Sequence, residues 1–395
     1  MKNETFEKIK TEYGTPCFVF DAKTLTERAD AINTMLKQHG IGFVYSIKAN
    51  PFLIPVLIDH VDAFEVCSPG ELAICKHLHI PGAKIIYSGV NKQAEDVAEA
   101  VNYENGSPVR ILTAESVRHY ELIRKECEKT SIKADVILRL SAQNQFGMSE
   151  EDIESILSSN KDCDAVNIIG IHYFVGTQRK KLSHQQKELA MLKEFITRLR
   201  SDYDLPLDML EYGPGLPHPY FVGDDFSDTL RPLKELLPDL ASMTDVCTLS
   251  VEMGRFLASS CGYYITSVAD VKESYDHNWC IVDGGINHVN YLGSMMGLSV
   301  PVIRRLGNNK ASGQKAHYTL CGSLCTTNDV LVRDYECEKL SIGDTLIFEN
   351  IGAYSITEGL NLFLSRNMPK VVIADGDDIT LVRDTVHTWK INSKQ

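Results

Sequence analysis

Reactive side chains stand where several apolar runs of this chain end. Lys48 closes the run Phe43–Ile47 within the segment YSIKANP. An amine at the end of a buried strand is partly dehydrated, which favours its neutral, nucleophilic form. A lysine that covers apolar surface with its stem and reaches water with its ammonium is also typical of this position, and Lys48 taken by itself favours that interpretation.

Two later segments contain residue types that bind phosphate. Gly213-Pro214-Gly215 follows an apolar run, and glycines let backbone N–H groups approach a phosphate, although a simple tight turn is the alternative. In Glu252-Met253-Gly254-Arg255 the guanidinium could pair with a phosphate. The carboxylate of the same segment could keep a pyridine nitrogen protonated, or the two charges could form a surface ion pair.

Three further residues could complete a site for a flat cofactor. His172 opens HYFVGTQ and could stack on a ring, but a hydrogen-bonded histidine at the edge of the core is the commoner case. Cys325 in CGSLCTTND could move a proton, and Tyr354 in GAY could contact a cofactor. A buried structural cysteine and a core tyrosine are the alternatives. Each signal is weak, but their order along one chain is informative.

The elements that must position these residues alternate along the chain. Short apolar runs are separated by segments with helical spacing, such as Ala22–Gln38 and Gln186–Asp202, which predicts an α/β unit with parallel strands. After an initial run at Cys17–Phe20, the predicted strands are Phe43–Ile47, Ala63–Val66, Lys84–Ser88, Arg110–Thr113, Val136–Leu140, Asn167–His172, Met209–Tyr212 and Thr248–Glu252. Eight strands with polar residues at their carboxyl ends favour a (β/α)8 barrel over an open, doubly wound sheet.

The sequence pattern changes after residue 255. Strand-like runs separated by Gly, Asp and Asn turns replace the helical segments, which predicts a mostly β domain. We therefore expect an N-terminal segment at 1–24 that could pack on the β domain, a barrel at 25–255 and a β domain at 256–395, and the run Cys17–Phe20 could belong to either domain.

The composition excludes several classes of protein. The net charge of −13 disfavours nonspecific binding to nucleic acid or anionic membranes. The polar N-terminus lacks the apolar stretch of a secretory signal, and no apolar run is long enough to span a membrane. The 11 cysteines are irregularly spaced and form no zinc-like pattern, which predicts reduced thiols, no metal site and a cytoplasmic protein.

Taken together, the motifs resemble those of the fold type III enzymes that use pyridoxal 5′-phosphate (PLP), a group that includes diaminopimelate decarboxylase, eukaryotic ornithine decarboxylase and alanine racemase. The resemblance extends from about residue 14 to 385. It implies an alanine racemase-like fold, with a barrel followed by a β domain. It also implies PLP-dependent amino-acid decarboxylation and a head-to-tail homodimer with shared active sites.

The resemblance also implies roles for individual residues. Lys48 matches the lysine that carries PLP, and Cys325 matches a catalytic cysteine that reaches the neighbouring subunit's site. The residues expected to bind the cofactor are Lys48, Glu65 in FEVCSPGEL, Arg139 with the following Phe146-Gly147, His172, Gly213, Gly215, Glu252, Gly254, Arg255 and Tyr354. We expect Thr326, Asp329 and Tyr291 to contact the substrate.

Departures from the family pattern bear on the substrate. Thr326 stands after the cysteine, where diaminopimelate decarboxylases have Glu and ornithine decarboxylases have Asp. The arginine that grips a distal carboxylate is missing after Asp283-Gly-Gly, where the chain reads INHVNY. The segments HYFVGTQ, QFGMSEED and SLCTTNDVL are similar to a branch that decarboxylates amino-acid conjugates in siderophore or antibiotic assembly. The substrate is thus expected to be an amino acid or an amino-acid conjugate.

Two alternatives stay open at this point. A racemase on the same fold would need bases on both faces of the α carbon, with Lys48 and Cys325 as the two candidates. Racemases of this fold use a tyrosine where this chain has Cys325, which favours decarboxylation. A protein that binds PLP without catalysis is the alternative from another class, although lysine, glutamate, arginine, histidine and cysteine are all present.

Overall fold

The computed structural model describes residues 1–104, 106–161, 163–203, 207–291, 297–307 and 315–393. The chain forms two compact units. One unit comprises Arg28–Pro217 and Asp228–Leu257, and the other comprises Met1–Glu27, His218–Ser227 and Ala258–Gln395. The domain boundaries expected from the sequence stay a prediction.

The chain begins with two helices separated by a strand. These are α1 (Asn3–Tyr13), β1 (Cys17–Asp21) and α2 (Ala22–Lys37). Asp21 accepts hydrogen bonds from the backbone N–H of Thr24 (3.1 Å) and from its hydroxyl (2.9 Å), which satisfies a donor in the first turn of α2.

The unit that contains residues 28–217 is a closed barrel of eight parallel strands, as predicted. The strands, in chain order, are β2 (Gly42–Ser46), β3 (Ala63–Val66), β4 (Ile85–Tyr87), β5 (Ile111–Ala114), β6 (Ala134–Arg139), β7 (Val166–Phe174), β8 (Met209–Gly213) and β9 (Thr248–Met253). These strands are rich in Val, Ile and Leu because both of their faces are covered. The apolar packing inside the barrel includes Val44, Ala63, Ile86, Ile111, Ile137 and Met209.

Helices alternate with these strands. They are α3 (Ile54–Leu57), α4 (Pro69–His77), α5 (Ala94–Val101), α6 (Val117–Thr130), α7 (Glu150–Ser159), α8 (Leu182–Tyr203), α9 (Arg231–Met243) and α10 (Arg255–Ala258). Ser68, Ser116 and Ser149 cap α4, α6 and α7, each accepting a backbone N–H with its hydroxyl oxygen. The strand-to-helix turns that follow β3 and β5 are therefore fixed by local side chains.

The other unit is built around a nine-stranded sheet. Besides β1, its strands are β10 (Gly262–Ser274), β11 (His277–Val282), β12 (Ile303–Leu306), β13 (Lys315–Cys321), β14 (Val330–Glu338), β15 (Thr345–Glu349), β16 (Lys370–Asp375) and β17 (Asp378–Arg383). β1 pairs antiparallel with β10 and parallel with β16, so the initial strand belongs to this sheet. The mostly β character expected after residue 255 is confirmed.

Two strands of this sheet were not predicted from the sequence. β12 reads IRRL and β14 reads VLVRDYECE, so charged residues interrupt both apolar patterns. β12 pairs antiparallel with β15, and β14 pairs antiparallel with the preceding strand β13, so ladder pairing rather than an apolar pattern holds both strands. In the part of the chain that the structure describes, no helix is long and apolar enough to cross a membrane.

Candidate active site

Lys48 lies in a short 3-10 turn, Ile47–Ala49, directly after β2. Its ammonium donates to both carboxylate oxygens of Glu65, at 3.2 and 3.0 Å, and approaches Cys67 Sγ at 3.5 Å. The next turn is fixed because the Asn50 side chain accepts the Phe52 N–H and the Asn50 carbonyl accepts the Tyr45 hydroxyl. The amine is therefore held at the carboxyl end of the barrel, with about a third (36%) of its side chain exposed.

Glu65 on β3 is buried next to this amine. Ser46 of β2 is its register partner, and only 3% of the Glu65 side chain is exposed. Burial acts to raise the pKa of Glu65, but the Lys48 ammonium, a hydrogen bond from Ser46 and the nearby His172 together lower it. Glu65 is therefore an anion that orients the amine. Burial, followed by the charge of Glu65, raises the pKa of Cys67, so this thiol is neutral.

His172 on β7 and Glu252 on β9 form the second buried group of the barrel. Only 1% and 4% of their side chains are exposed, and His172 Nε2 lies 3.4 Å from Glu252 Oε2. This is an electrostatic contact rather than an aligned hydrogen bond. Among the described residues, neither ring nitrogen of His172 nor Oε2 of Glu252 has a hydrogen-bond partner. Buried polar atoms rarely stay unsatisfied, so these atoms point to a ligand.

Gly213 and Gly215 form a turn at the end of β8 that has no room for side chains. A Cβ on Gly213 would lie 2.4 Å from Glu252 Oε1, and one on Gly215 would lie 1.8 Å from the Gly176 carbonyl oxygen. Gly215 also has a φ of +62°, which L-residues rarely adopt. The turn is held by the Arg179 N–H, which donates to the Gly215 carbonyl (2.9 Å), and by Gln185 Nε2, which donates to the Pro214 carbonyl (3.2 Å).

Gly254 is the single residue between β9 and α10, and Arg255 begins α10. Arg255 is buried, with 8% of the residue exposed. A buried guanidinium at the carboxyl end of a barrel can pair with a phosphate that backbone N–H groups also bind.

Arg139 ends β6, in register with His172. Its Nη1 lies 2.9 Å from Glu115 Oε1, and its guanidinium stands over the Phe146 ring at 4.9 Å. Both partners hold the guanidinium in one orientation. Arg139 therefore lies in the barrel unit, as expected, while its predicted contact with the cofactor stays a prediction.

The remaining predicted residues belong to the β unit. Cys325 is exposed, and Thr326 Oγ accepts a hydrogen bond from the Asn328 N–H at 3.3 Å. Asp329 is buried and accepts the N–H groups of Ile286 (2.8 Å) and Leu324 (2.7 Å). Burial raises the pKa of Asp329 despite these two donors. Asp329 thus holds the Cys325 loop against the segment after β11, and its predicted contact with substrate stays a prediction.

Two tyrosines of the β unit were also expected in the site. The Tyr291 hydroxyl donates to the Glu349 carbonyl at 2.6 Å, and its ring is buried. Burial raises the pKa of Tyr291 well above its usual range, so the phenol is neutral. Tyr354 has a φ of +68° in the turn after β15. Their predicted roles toward substrate and cofactor stay predictions.

A cavity of about 440 Å³ in the β unit places Cys325 next to a cation. Arg366 lines this cavity together with Asp283, Ser323 and Leu324, and its Nη2 donates to the Ser323 carbonyl at 2.7 Å. Arg366 was not predicted from the sequence, because it lies 41 positions after Cys325 and no local motif surrounds it.

The predicted residues of the barrel unit all lie near the carboxyl ends of its strands. They are Lys48, Glu65, Arg139, His172, Gly213, Gly215, Glu252, Gly254 and Arg255. Cys67 and Glu211 are part of the same interior but were not predicted from the sequence. A carboxylate inside a strand that is buried on both faces would have indicated Glu211.

These residues fit PLP. The aldehyde of PLP requires an amine, and its ring face can stack on an unsatisfied imidazole. Its ring nitrogen requires a carboxylate, and its phosphate requires a glycine turn into which no Cβ fits. A family model described as "Pyridoxal-dependent decarboxylase, pyridoxal binding domain" matches residues 22–259. The chain belongs to this family. The predicted PLP dependence and decarboxylase activity are confirmed.

Curated relatives and solved structures agree with this assignment. The chain is 23% identical to a diaminopimelate decarboxylase of Methanocaldococcus jannaschii, over 95% of this chain and 90% of that protein. It is 24% identical to the L-glutamyl-[BtrI acyl-carrier protein] decarboxylase of Niallia circulans, over 95% and 92%. It is 25% identical to the 2-[(L-alanin-3-ylcarbamoyl)methyl]-2-hydroxybutanedioate decarboxylase of Staphylococcus aureus, over 93% and 96%. The M. jannaschii diaminopimelate decarboxylase solved with L-lysine has the same fold, with a TM-score of 0.85 at 22% identity over 96% of this chain and 92% of that one.

Proposed function

We propose that this decarboxylase acts on an amino acid presented as a conjugate, whose distal end differs from that of diaminopimelate. The segment Ile286–Tyr291, where the diaminopimelate pattern has an arginine, contains no cation. Two of its side chains make contacts within the fold: Asn287 Nδ2 lies 3.0 Å from His288 Nε2, and the Tyr291 hydroxyl donates to Glu349. Among the described residues, Asn287 Oδ1 is buried without a hydrogen-bond partner. This lack of a clamp for a distal carboxylate is the observation that supports the proposal.

Two of the relatives also support a conjugated substrate. The N. circulans enzyme is named for a glutamyl group on an acyl-carrier protein, and the S. aureus enzyme for a carbamoyl-linked alanine derivative of a hydroxybutanedioate. In this chain, Arg366 is the cation of the cavity that contains Cys325, so an anionic distal group would find its charge partner there.

The barrel residues supply the positions that the reaction needs. Lys48 would hold PLP through its amine, and Glu65 keeps that amine in place. His172 would cover one ring face, and Glu252 would hold a proton at the ring nitrogen. Gly213, Gly215, Gly254 and Arg255 would bind the phosphate. When bound, PLP accepts the electron pair that remains on the α carbon after CO₂ leaves.

Cys325 completes the proposed reaction by delivering a proton to the α carbon. Its exposure on the β unit is consistent with a partner subunit's active site, as the head-to-tail homodimer implied by the family pattern requires. We include that dimer, and a cytoplasmic location, in the proposal. Light scattering of the purified protein tests the dimer.

The activity can be tested with the purified, PLP-loaded protein in D₂O. The protein is incubated with a panel of free amino acids, diaminopimelate and carbamoyl- or carrier-linked amino acids. The products are identified by mass spectrometry. We expect CO₂ loss with uptake of one deuterium from a conjugate, and none with the Lys48→Ala variant. Turnover of diaminopimelate in preference to every conjugate would overturn the proposal.

The same experiment separates the two alternatives. A deuterated amino acid that retains its carboxylate would indicate racemisation, and none of the relatives named above is a racemase. A protein that binds PLP but converts no member of the panel would be a silent binder.

A further inference from the structure

Glu211 is a buried carboxyl group of the barrel that the proposed reaction does not use. It lies on β8, between its register partners His172 on β7 and Ser250 on β9. The residue has no solvent exposure. Among the described residues, neither of its oxygens has a hydrogen-bond partner. A carboxylate left in this state would lose its hydration without compensation, which costs several kcal/mol.

Among the described residues, no cation is hydrogen-bonded to Glu211. Three carboxylates share the interior, namely Glu65, Glu211 and Glu252, and the Lys48 ammonium is taken by Glu65 at 3.0 Å. Glu252 has the His172 ring at 3.4 Å. The charged or titratable groups that face Glu211 are His172 on β7, Glu252 on β9, Glu65 on β3, Lys48 after β2 and Arg110 before β5.

We propose that Glu211 is a neutral carboxylic acid in the folded protein, and that it is a positioning residue for the charge of Glu252. A charged carboxylate at position 211 would repel the Glu252 carboxylate, which must stay an anion to serve the ring nitrogen of PLP. A neutral carboxyl group at position 211 avoids this repulsion. Burial, followed by the charges of Glu252 and Glu65, raises the pKa of Glu211 well above its usual range, in agreement with the geometry.

The protonation state can be measured without cofactor. We expect the infrared spectrum of the apoprotein at neutral pH to show the carbonyl band of a protonated carboxyl group, and E211Q to lack this band. Because only the folded state then holds the proton, the unfolding equilibrium constant of the wild type should rise relative to that of E211Q. The rise should be about tenfold for each pH unit above the unfolded-state pKa of a glutamate, about 4.3, up to the pH at which Glu211 ionises in the folded protein.

E65Q is the matched control, because it makes the same substitution at a paired carboxylate of the same interior. Glu65 is ionised in both the folded and the unfolded protein across this pH range, so the stability difference between wild type and E65Q should not change with pH. Absence of the infrared band, together with a pH-independent difference for E211Q, would show that Glu211 is charged and overturn the proposal.

The positioning role rests on the proposed assignment of Glu252 to the ring nitrogen, and it needs a separate measurement. The affinity for PLP is titrated against pH in the wild type and in E211Q. We expect the alkaline loss of affinity to move to higher pH in E211Q, since glutamine cannot ionise. Identical pH profiles would refute the positioning role. These measurements do not depend on whether the protein decarboxylates the proposed conjugates, so the two proposals can fail separately.

Discussion

Gly215→Ala should weaken PLP binding, whereas an alanine at another glycine with a similar positive φ should not. The new Cβ would lie 1.8 Å from the Gly176 carbonyl oxygen, whereas real Cβ atoms stay at least 3.0 Å from such atoms. One of the two backbone segments must therefore move by at least 1.2 Å (3.0 − 1.8). A shift of this size removes at least one hydrogen bond to a phosphate, which is worth about 1.5–3 kcal/mol, or roughly a tenfold to hundredfold increase in Kd.

Gly40→Ala is the matched control. Gly40 has a φ of +67°, close to the +62° of Gly215, but a Cβ there would meet nothing within 4 Å. Both substitutions carry the conformational cost of a positive φ, about 1–2 kcal/mol of unfolding free energy, and only Gly215→Ala adds the clash. PLP affinity is measured by fluorescence titration and stability by urea unfolding of the apoproteins. Equal PLP affinity of the two variants would refute the assignment of Gly213–Gly215 to the phosphate.

Three further substitutions test other parts of the site. Glu65→Gln should lower the unfolding free energy by about 1–3 kcal/mol, a value reduced because the Lys48 side chain is partly exposed. Urea titrations should show this difference above about pH 5. The difference should disappear at lower pH, because folding lowers the pKa of Glu65. A difference that grew on acidification would contradict the pairing. Cys325→Ala should reduce kcat by roughly 10²–10⁴-fold in steady-state assays without changing PLP affinity, and wild-type kcat would exclude a proton-transfer role. Asp329→Asn should lower the unfolding free energy by about 1–3 kcal/mol because the Ile286 and Leu324 N–H groups share this carboxylate, whereas unchanged stability would argue for a free, substrate-facing side chain.

The barrel and the positions of its candidate cofactor-binding residues were predictable because the signals are local. Each strand is a short apolar run, and residues such as Lys48, His172 and Glu252 stand at or near its carboxyl end. In a closed parallel barrel all carboxyl ends face the same side, so position in the chain translates directly into position in the site. Glu211 was missed because a single glutamate within the run MLEYG looks like an ordinary interruption of a strand. Only the burial of both strand faces shows that it has no contact with water.

The residues of the β unit were less predictable because their side chains form hydrogen bonds with residues that are distant in the sequence. The Tyr291 hydroxyl is taken by the Glu349 carbonyl, 58 residues away, and Asp329 by the Ile286 N–H, 43 residues away. No local motif indicates either hydrogen bond, so the sequence alone suggests that both side chains could bind a substrate. Arg366 shows the reverse: no motif marks it, yet the sheet brings it to the cavity that Cys325 lines. The strand-end motifs of the barrel thus predict the cofactor from the sequence, whereas long-range pairing in the β unit determines which of its polar side chains are already bound within the fold.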